Sequence, residues 1–175
     1  MSGLIHVYYG NGKGKTTAAL GLALRASGCG KQVVIVQFLK DWSCGELESL
    51  ALIPNITVLR GKASGGVFIH EMSDDQKEET TAIHNDNLRR ALTLHSEDSC
   101  DLLILDEAID ALNLGVLDST LITNLLSSKP ESLELIITGH NPSAQLLMHA
   151  DYVTEMVKHK HPYDEGITAR RGIEF

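Results

Sequence analysis

Cysteine is scarce in this chain. Cys29, Cys44 and Cys100 are odd in number and widely spaced, and no C-x-x-C occurs. Neither a disulfide framework nor a zinc knuckle is supported. No apolar run approaches the roughly eighteen residues a membrane span needs, and Met1-Ser2-Gly3-Leu4 lacks the basic segment and long apolar stretch of a signal peptide. A basic surplus is missing too. Fifteen Lys and Arg against twenty-three Asp and Glu give a net charge of −8, the wrong sign for a general nucleic-acid binder, although a local basic pocket stays compatible with it. Internal repeats and low-complexity stretches are absent. With 43 % apolar and 22 % charged residues the composition is globular and excludes wholesale disorder. A chain of 175 residues is long enough to bury a sizeable core and suits one domain over 1–175. The expectation is a reduced, cytoplasmic protein.

Short apolar runs alternate with helical segments. Leu4 to Tyr9 is β-rich and leads into the glycine loop at Gly10; Ala18 to Ser27 is rich in Ala and Leu and is punctuated by Gly28 and Gly30. That order is strand, glycine loop, helix, glycine stop. Val33 to Leu39, Ile56 to Leu59, Leu102 to Leu105, Leu133 to Thr138 and Tyr152 to Val157 are further strand candidates. Ser73-Asp74-Asp75-Gln76 fits a capping box opening one long helix that runs to about His95. Leu121 to Leu126 sits on a helix closed by Lys129-Pro130, and a short helix covers Ser143 to His149. The alternation predicts an α/β fold: a mainly parallel sheet with helices on both faces. The tail from Pro162 to Phe175 reads as a hairpin or an edge strand.

Gly14-Lys15-Thr16 is the core of a P-loop, with a strand before it and a helix after. Successive backbone N–H groups in such a loop bind phosphate oxygens, and the helix N-terminus adds its dipole. Lys15 supplies a mobile positive charge, and the Thr16 hydroxyl is placed to ligate Mg²⁺. The usual spacing wants glycine where Tyr9 stands; Gly10 is displaced by one, and Lys13 adds charge inside the loop. The acidic half of the site is Asp106-Glu107, at the C-terminal end of the apolar strand Leu102–Leu105, where α/β sheets bind ligands. One carboxylate holds Mg²⁺ directly or through water, while the other positions a reactant. Together these motifs predict a magnesium–nucleoside triphosphate site. A guanine-selecting N-K-x-D is absent, which disfavours a GTPase. Arg25, on the helix after the loop, is either a further phosphate contact or a helix-surface charge.

The order of motifs is more specific than a P-loop. Gly10-Asn11-Gly12-Lys13-Gly14-Lys15-Thr16-Thr17-Ala18-Ala19 with Arg25-Ala26, then Gln37-Phe38-Leu39-Lys40 and Gly45-Glu46, closely resembles the P-loop ATP:cob(I)alamin (corrinoid) adenosyltransferases. Asp106-Glu107, Thr138-Gly139, Ala150-Asp151 with Thr154-Glu155-Met156, Gly166-Ile167 and Gly172-Ile173-Glu174-Phe175 continue the resemblance from about Ile5 to Phe175. The shifted first glycine looks like that family's own form of the loop. The resemblance implies a P-loop NTPase (RecA-like) architecture and a reaction at carbon. Cob(I)alamin attacks the ribose C5′ of ATP and inorganic triphosphate leaves. The nucleotide then lies in the loop in the reverse sense from most P-loop proteins. Lys13, Lys15, the loop amides and Mg²⁺ (or Mn²⁺) would stabilise the leaving charge, and no general base is required. No catalytic histidine stands out in the sequence. By the same resemblance Thr16 and Glu107 carry the metal with Asp106 nearby, while Gly10, Asn11, Gly12, Gly14, Thr17 and Arg25 join the lysines around the phosphates.

The family also makes Co(II) reducible by pressing aromatic or apolar side chains on the lower face of the corrin. Phe68, within Gly65-Gly66-Val67-Phe68-Ile69-His70, is the candidate wedge, with ordinary core packing as its alternative. A tryptophan of some relatives is replaced by His70, whose imidazole is itself able to ligate cobalt. Trp42, on the loop after the second strand, either touches corrin or adenosine or packs. Some relatives carry an N-terminal extension that helps cover the site. Here the first strand begins by residue 4 or 5, so another element closes the site or it stays open. His159-Lys160-His161 places two imidazoles at i and i+2, which reads as a solvated strand end more readily than as a metal site. The expected partners are ATP, a corrinoid, an electron donor that makes Co(I), and a second copy of the chain in a homodimer, with no nucleic acid and no membrane. Two other readings remain open at this level. One is a P-loop ATPase or small-molecule kinase cleaving the γ-phosphate; the other is a nucleotide-dependent corrinoid-binding module.

Overall fold

A computed structural model describes residues 2–42, 44–61, 69–96 and 99–174. Six strands form one sheet: β1 (Ile5–Tyr9), β2 (Val33–Gln37), β3 (Ile56–Arg60), β4 (Leu102–Asp106), β5 (Glu134–Gly139) and β6 (Tyr152–Glu155). Their order is β3-β2-β4-β5-β1-β6, and every neighbouring pair is parallel. Parallel neighbours need crossover connections. These are supplied by α1 (Lys15–Gly28), α2 (Gly45–Leu50), α3 (Asp74–Ser96), α4 (Ala108–Asn113), α5 (Ser119–Ser128) and α6 (Ala144–His149). The strand carrying Asp106 is thus separated from the loop-bearing strand β1 by β5, which brings three strand ends together at one edge of the sheet.

The apolar runs read as strands covered on both faces, and the sheet bears this out. β2 and β4 are buried at every position. Alternation divides their side chains between two cores. Val34, Val36, Leu103, Leu105, Leu135 and Ile137 pack with Leu88 and Ala91 of α3 and with Ile109, Ile122 and Leu125. On the opposite face, Val33, Ile35, Leu102, Ile104 and Ile136 pack with Ala19 and Ala23 of α1. The two small alanines let α1 lie close to the strands, which sets the height at which its N-terminus meets the sheet edge.

The expected mainly parallel sheet is wholly parallel among the described residues. The tail is neither a hairpin nor a strand: Pro162–Glu165 is a 3₁₀ turn and residues 171–174 form a further turn. Strand β6 ends at Glu155, so His159 and His161 do not share a strand face, and among the described residues no group of three or more His, Cys, Asp and Glu is placed to hold a metal. No helix of the described residues is long and apolar enough to cross a membrane. All three cysteines are free, and burial pushes the Cys100 thiol up to about 12.

Of the buried polar residues of α3, which include Thr80 and Asn87, His84 shapes the approach to the sheet edge. His84 is fully buried; its Nδ1 lies 2.8 Å from the Val116 carbonyl and its Nε2 accepts the Leu39 N–H at 3.2 Å. A carbonyl only accepts, so Nδ1 carries the ring proton and the imidazole is neutral. This bond holds Leu39 at φ 60, a left-handed conformation unusual for a branched side chain, and so turns the chain immediately before Lys40. His84→Leu strips both backbone groups of their partner. It is expected to cost roughly 2–4 kcal/mol in denaturant unfolding.

Candidate active site

The glycine loop runs from the end of β1 to the N-cap of α1, Gly14, at φ 116. It is strapped from behind by the chain leaving β6. Met156 N–H donates to the Tyr9 carbonyl at 2.7 Å, Gly12 N–H to the Met156 carbonyl at 2.6 Å, and Lys158 N–H to Asn11 Oδ1 at 2.9 Å. A Cβ on Gly10 or Gly12 would lie 2.5 or 2.7 Å from the Met156 oxygen, so the strap itself demands glycine at both positions. The displaced first glycine has this physical reason.

Lys15 folds back over the loop. Its Nζ donates to the carbonyls of Gly10 (2.7 Å) and Gly12 (2.9 Å). Burial lowers its pKa below the ordinary lysine value, against the pull of Asp110, Glu107 and Asp106. Lys13 points to the C-terminal segment, donating to Glu174 Oε1 at 3.1 Å and to the Ile173 carbonyl at 3.2 Å. Glu174 is further held by Arg170 at 3.0 Å, whose hydrogen bond draws the carboxyl down to about 2.

Asp106 is completely buried and accepts on both oxygens. Oδ1 takes the hydroxyls of Thr16 (2.8 Å) and Thr138 (2.9 Å), and Oδ2 takes Lys40 Nζ at 2.8 Å. Because Thr16 gives its proton to Asp106, the hydroxyl's lone pairs face the cleft. Glu107 is the next residue, at φ 61, with its N–H on Thr138 Oγ1 (2.9 Å) and a carboxylate oxygen 3.4 Å from Lys40 Nζ. Burial raises the Glu107 pKa, partly offset by Lys40. Burial works against the charge on Lys40, but Asp106 and Glu107 outweigh it and raise its pKa. An oxygen-only set of one hydroxyl and one half-buried carboxylate, with room left for phosphate and water, fits a hard divalent cation.

Two adjoining clefts share Thr16, Thr17, Glu107, Ile173 and Glu174. The smaller, about 340 Å³, lies over the loop and is lined by Asn11, Lys13, Lys15, Asp110 and His140 among others. The larger, about 670 Å³, extends from it toward Lys40, Trp42, Cys44 and Glu46. Trp42 is 47 % exposed, and Arg60 steadies its loop by donating to the Trp42 carbonyl at 2.8 Å. The C-terminal turn therefore covers the loop, held there by Lys13.

The structure brings together Gly10 to Thr17, Asp106, Glu107 and Trp42. Arg25 is elsewhere: it stands in the last turn of α1 and lines a separate cavity with His6, Tyr8 and Tyr152. Helix α1 carries it along the sheet and away from the loop. His70 is exposed on a 3₁₀ turn, 3.8 Å from Glu71, and lines neither cleft. Phe68 lies outside the described residues. Sequence reading gave no role to Lys40, Asp110, His140 or Glu174. Lys40 and Glu174 were within reach, since Gln37-Phe38-Leu39-Lys40 and Gly172-Ile173-Glu174-Phe175 carry the family resemblance; Asp110 and His140 come from segments that only the fold brings to the loop. Lys40→Met leaves the buried Asp106 without its cation. The expected loss is about 3–5 kcal/mol in unfolding free energy, measured by denaturant titration.

Comparison with known proteins adds independent support. The family model "ATP:corrinoid adenosyltransferase BtuR/CobO/CobP" matches residues 1–175. The chain is 34 % identical over 174 residues to the corrinoid adenosyltransferase of Escherichia coli K12, covering 99 % of this chain and 86 % of that one. It is equally similar, with the same coverage, to corrinoid adenosyltransferase CobA of Salmonella typhimurium. To the corrinoid adenosyltransferase of Pseudomonas aeruginosa it is 32 % identical, over 99 % of this chain and 84 % of the relative. With the whole sequence matched and the loop, acidic pair and parallel sheet in their places, this chain belongs to the ATP:corrinoid adenosyltransferase family.

Proposed function

We propose that this protein transfers the 5′-deoxyadenosyl group of ATP to the Co(I) of a corrinoid. The electron pair of Co(I) forms the bond to C5′, the C5′–O5′ bond breaks, and O5′ leaves as part of triphosphate; cobalt ends formally as Co(III). The observation that carries this reading beyond kinship is the pair of joined clefts. The small one over the loop offers backbone N–H groups, Lys13 and Lys15, suited to a triphosphate. The larger one, opening from it past Trp42, leaves space for nucleoside and corrin beside the leaving group.

The residues divide the work by charge. Loop amides and Lys15 receive the triphosphate, whose oxygens favour the lysine charge that burial disfavours. Thr16 and Glu107 would hold Mg²⁺ or Mn²⁺, which supplies further positive charge against the departing triphosphate. Asp106 acts behind them, since its oxygens are already taken, by fixing the Thr16 hydroxyl. No side chain has to remove a proton, because Co(I) is the nucleophile. Trp42 stands where a corrin or adenine face would rest. Phe68 and His70 are kept as corrin-side candidates on resemblance alone. The same kinship supports a cytoplasmic homodimer that works with an electron donor keeping cobalt as Co(I).

The test is an anaerobic assay with Mg–ATP and chemically reduced cob(I)alamin, following the corrin spectrum and the phosphate products together. Conversion to a light-sensitive alkylcobalamin with stoichiometric triphosphate is expected, and Lys15→Ala abolishes it. Unchanged Co(I) with accumulating ADP and phosphate would overturn the reading. Glu107→Gln should reduce the ratio of ATP affinity with Mg²⁺ to that without it by about tenfold, read by calorimetry.

A further inference from the structure

His140 follows β5 directly and is held with unusual care. Its N–H donates to Asp110 Oδ2 at 3.0 Å, and its carbonyl accepts from Asn113 Nδ2 at 3.2 Å. Its ring is fixed by the same carboxylate, with Nδ1 3.0 and 3.1 Å from the two Asp110 oxygens. The approach is close enough to require the preceding glycine: at φ 147, a Cβ on Gly139 would lie 2.6 Å from Asp110 Oδ2. The outcome is that Nε2 points into the small cleft, 3.4 Å from Lys15 Nζ.

Donor and acceptor counting then fixes the charge of the ring. Both Asp110 oxygens accept, so Nδ1 carries a proton; an ammonium only donates, so Nε2 is bare. The imidazole is neutral while Lys15 rests on it and on the loop carbonyls. Phosphate oxygens are acceptors as well. Once they draw Lys15 away, Nε2 can hydrogen-bond a phosphate oxygen only by taking a proton from solvent. Asp110 lies against Nδ1 to stabilise the resulting imidazolium.

We infer that His140, oriented by Asp110, is a phosphate-binding residue that becomes protonated as triphosphate enters and donates Nε2–H to it. The inference rests on the reading of the small cleft as the triphosphate site. The charged and titratable groups facing this cleft are Lys13 and Lys15 from the loop and α1, Glu107 and Asp110 beside α4, and His161 and Glu174 from the C-terminal segment. His161 is the competing source of a proton change. Its Nδ1 accepts from the Tyr163 N–H at 3.2 Å.

Calorimetric titration with inorganic tripolyphosphate, in buffers of different ionisation enthalpy, separates these possibilities. Wild type is expected to take up protons on binding. His140→Gln should bind about tenfold more weakly and lose that uptake, the loss of one charge-assisted hydrogen bond. Asp110→Asn should lose the uptake, because the imidazolium no longer has its anion, whereas His161→Gln keeps the uptake. His140 is half-exposed, so matching thermal unfolding midpoints confirm that the variant is folded. Equal affinity and uptake in H140Q, loss of the uptake in H161Q instead, or a wild-type protein that binds no tripolyphosphate would each overturn the assignment. A wild-type protein that binds tripolyphosphate with this signature but makes no adenosylcorrinoid would overturn the transferase reading alone.

Discussion

One buried carboxylate holds the site together. Asp106, at the end of β4, has no exposed surface, and the donors to its carboxylate come from three other places in the chain: Thr16 at the start of α1, Thr138 on β5 and Lys40 beyond β2. A charge so placed is tolerated only when its oxygens are fully used. That requirement fixes the distances between the ends of three strands and the helix carrying the loop. Lys40 reaches Asp106 only because the chain turns at Leu39, and the turn depends on neutral His84 from α3. The site geometry is thus inherited from the core.

Strain gathers at the same edge. Among the described residues, the non-glycine positions with positive φ are Leu39, Glu107 and Asn141, which follow β2, β4 and β5 respectively. Each costs on the order of 1–3 kcal/mol, and each orients a group at the clefts: Lys40, the Glu107 carboxylate, and the His140 segment. The cations of the loop are meanwhile satisfied by the protein itself. Lys15 rests on loop carbonyls and Lys13 on the C-terminal turn. On the proposed function, an entering triphosphate would exchange these contacts for stronger ones to its own oxygens.

Much of this was legible in the sequence for definite reasons. The P-loop and Asp106-Glu107 are local patterns, and the strands carrying them are unbroken apolar runs, which only a sheet covered on both faces accommodates. Helix α3 announced itself by its capping box: the Ser73 N–H bonds Gln76 Oε1 at 3.0 Å and the Gln76 N–H bonds Ser73 Oγ at 3.3 Å. The short helices α2 and α4 carried no comparable signal. A six-residue helix takes its stability from packing, and α4 begins at the left-handed Glu107, which no periodicity discloses. The tail misled because its glycines and arginines suit a hairpin or an edge strand, whereas its shape is set by Glu174, which pairs with Arg170 four residues away and with Lys13 in the distant loop. His140 was invisible for the same reason, since its meaning depends on Asp110 and Lys15. Arg25 was the reverse case, a plausible charge that its helix carries out of reach.

Transfer at carbon and transfer at phosphorus differ in which bond of ATP breaks. A single turnover with cob(I)alamin and ATP labelled with ¹⁸O at the 5′ bridging oxygen decides this by mass spectrometry of the products. Adenosyl transfer sends all of the label into triphosphate while the adenosyl carbon goes to cobalt. Label retained in ADP, AMP or adenosine would place the cleavage at phosphorus and contradict it.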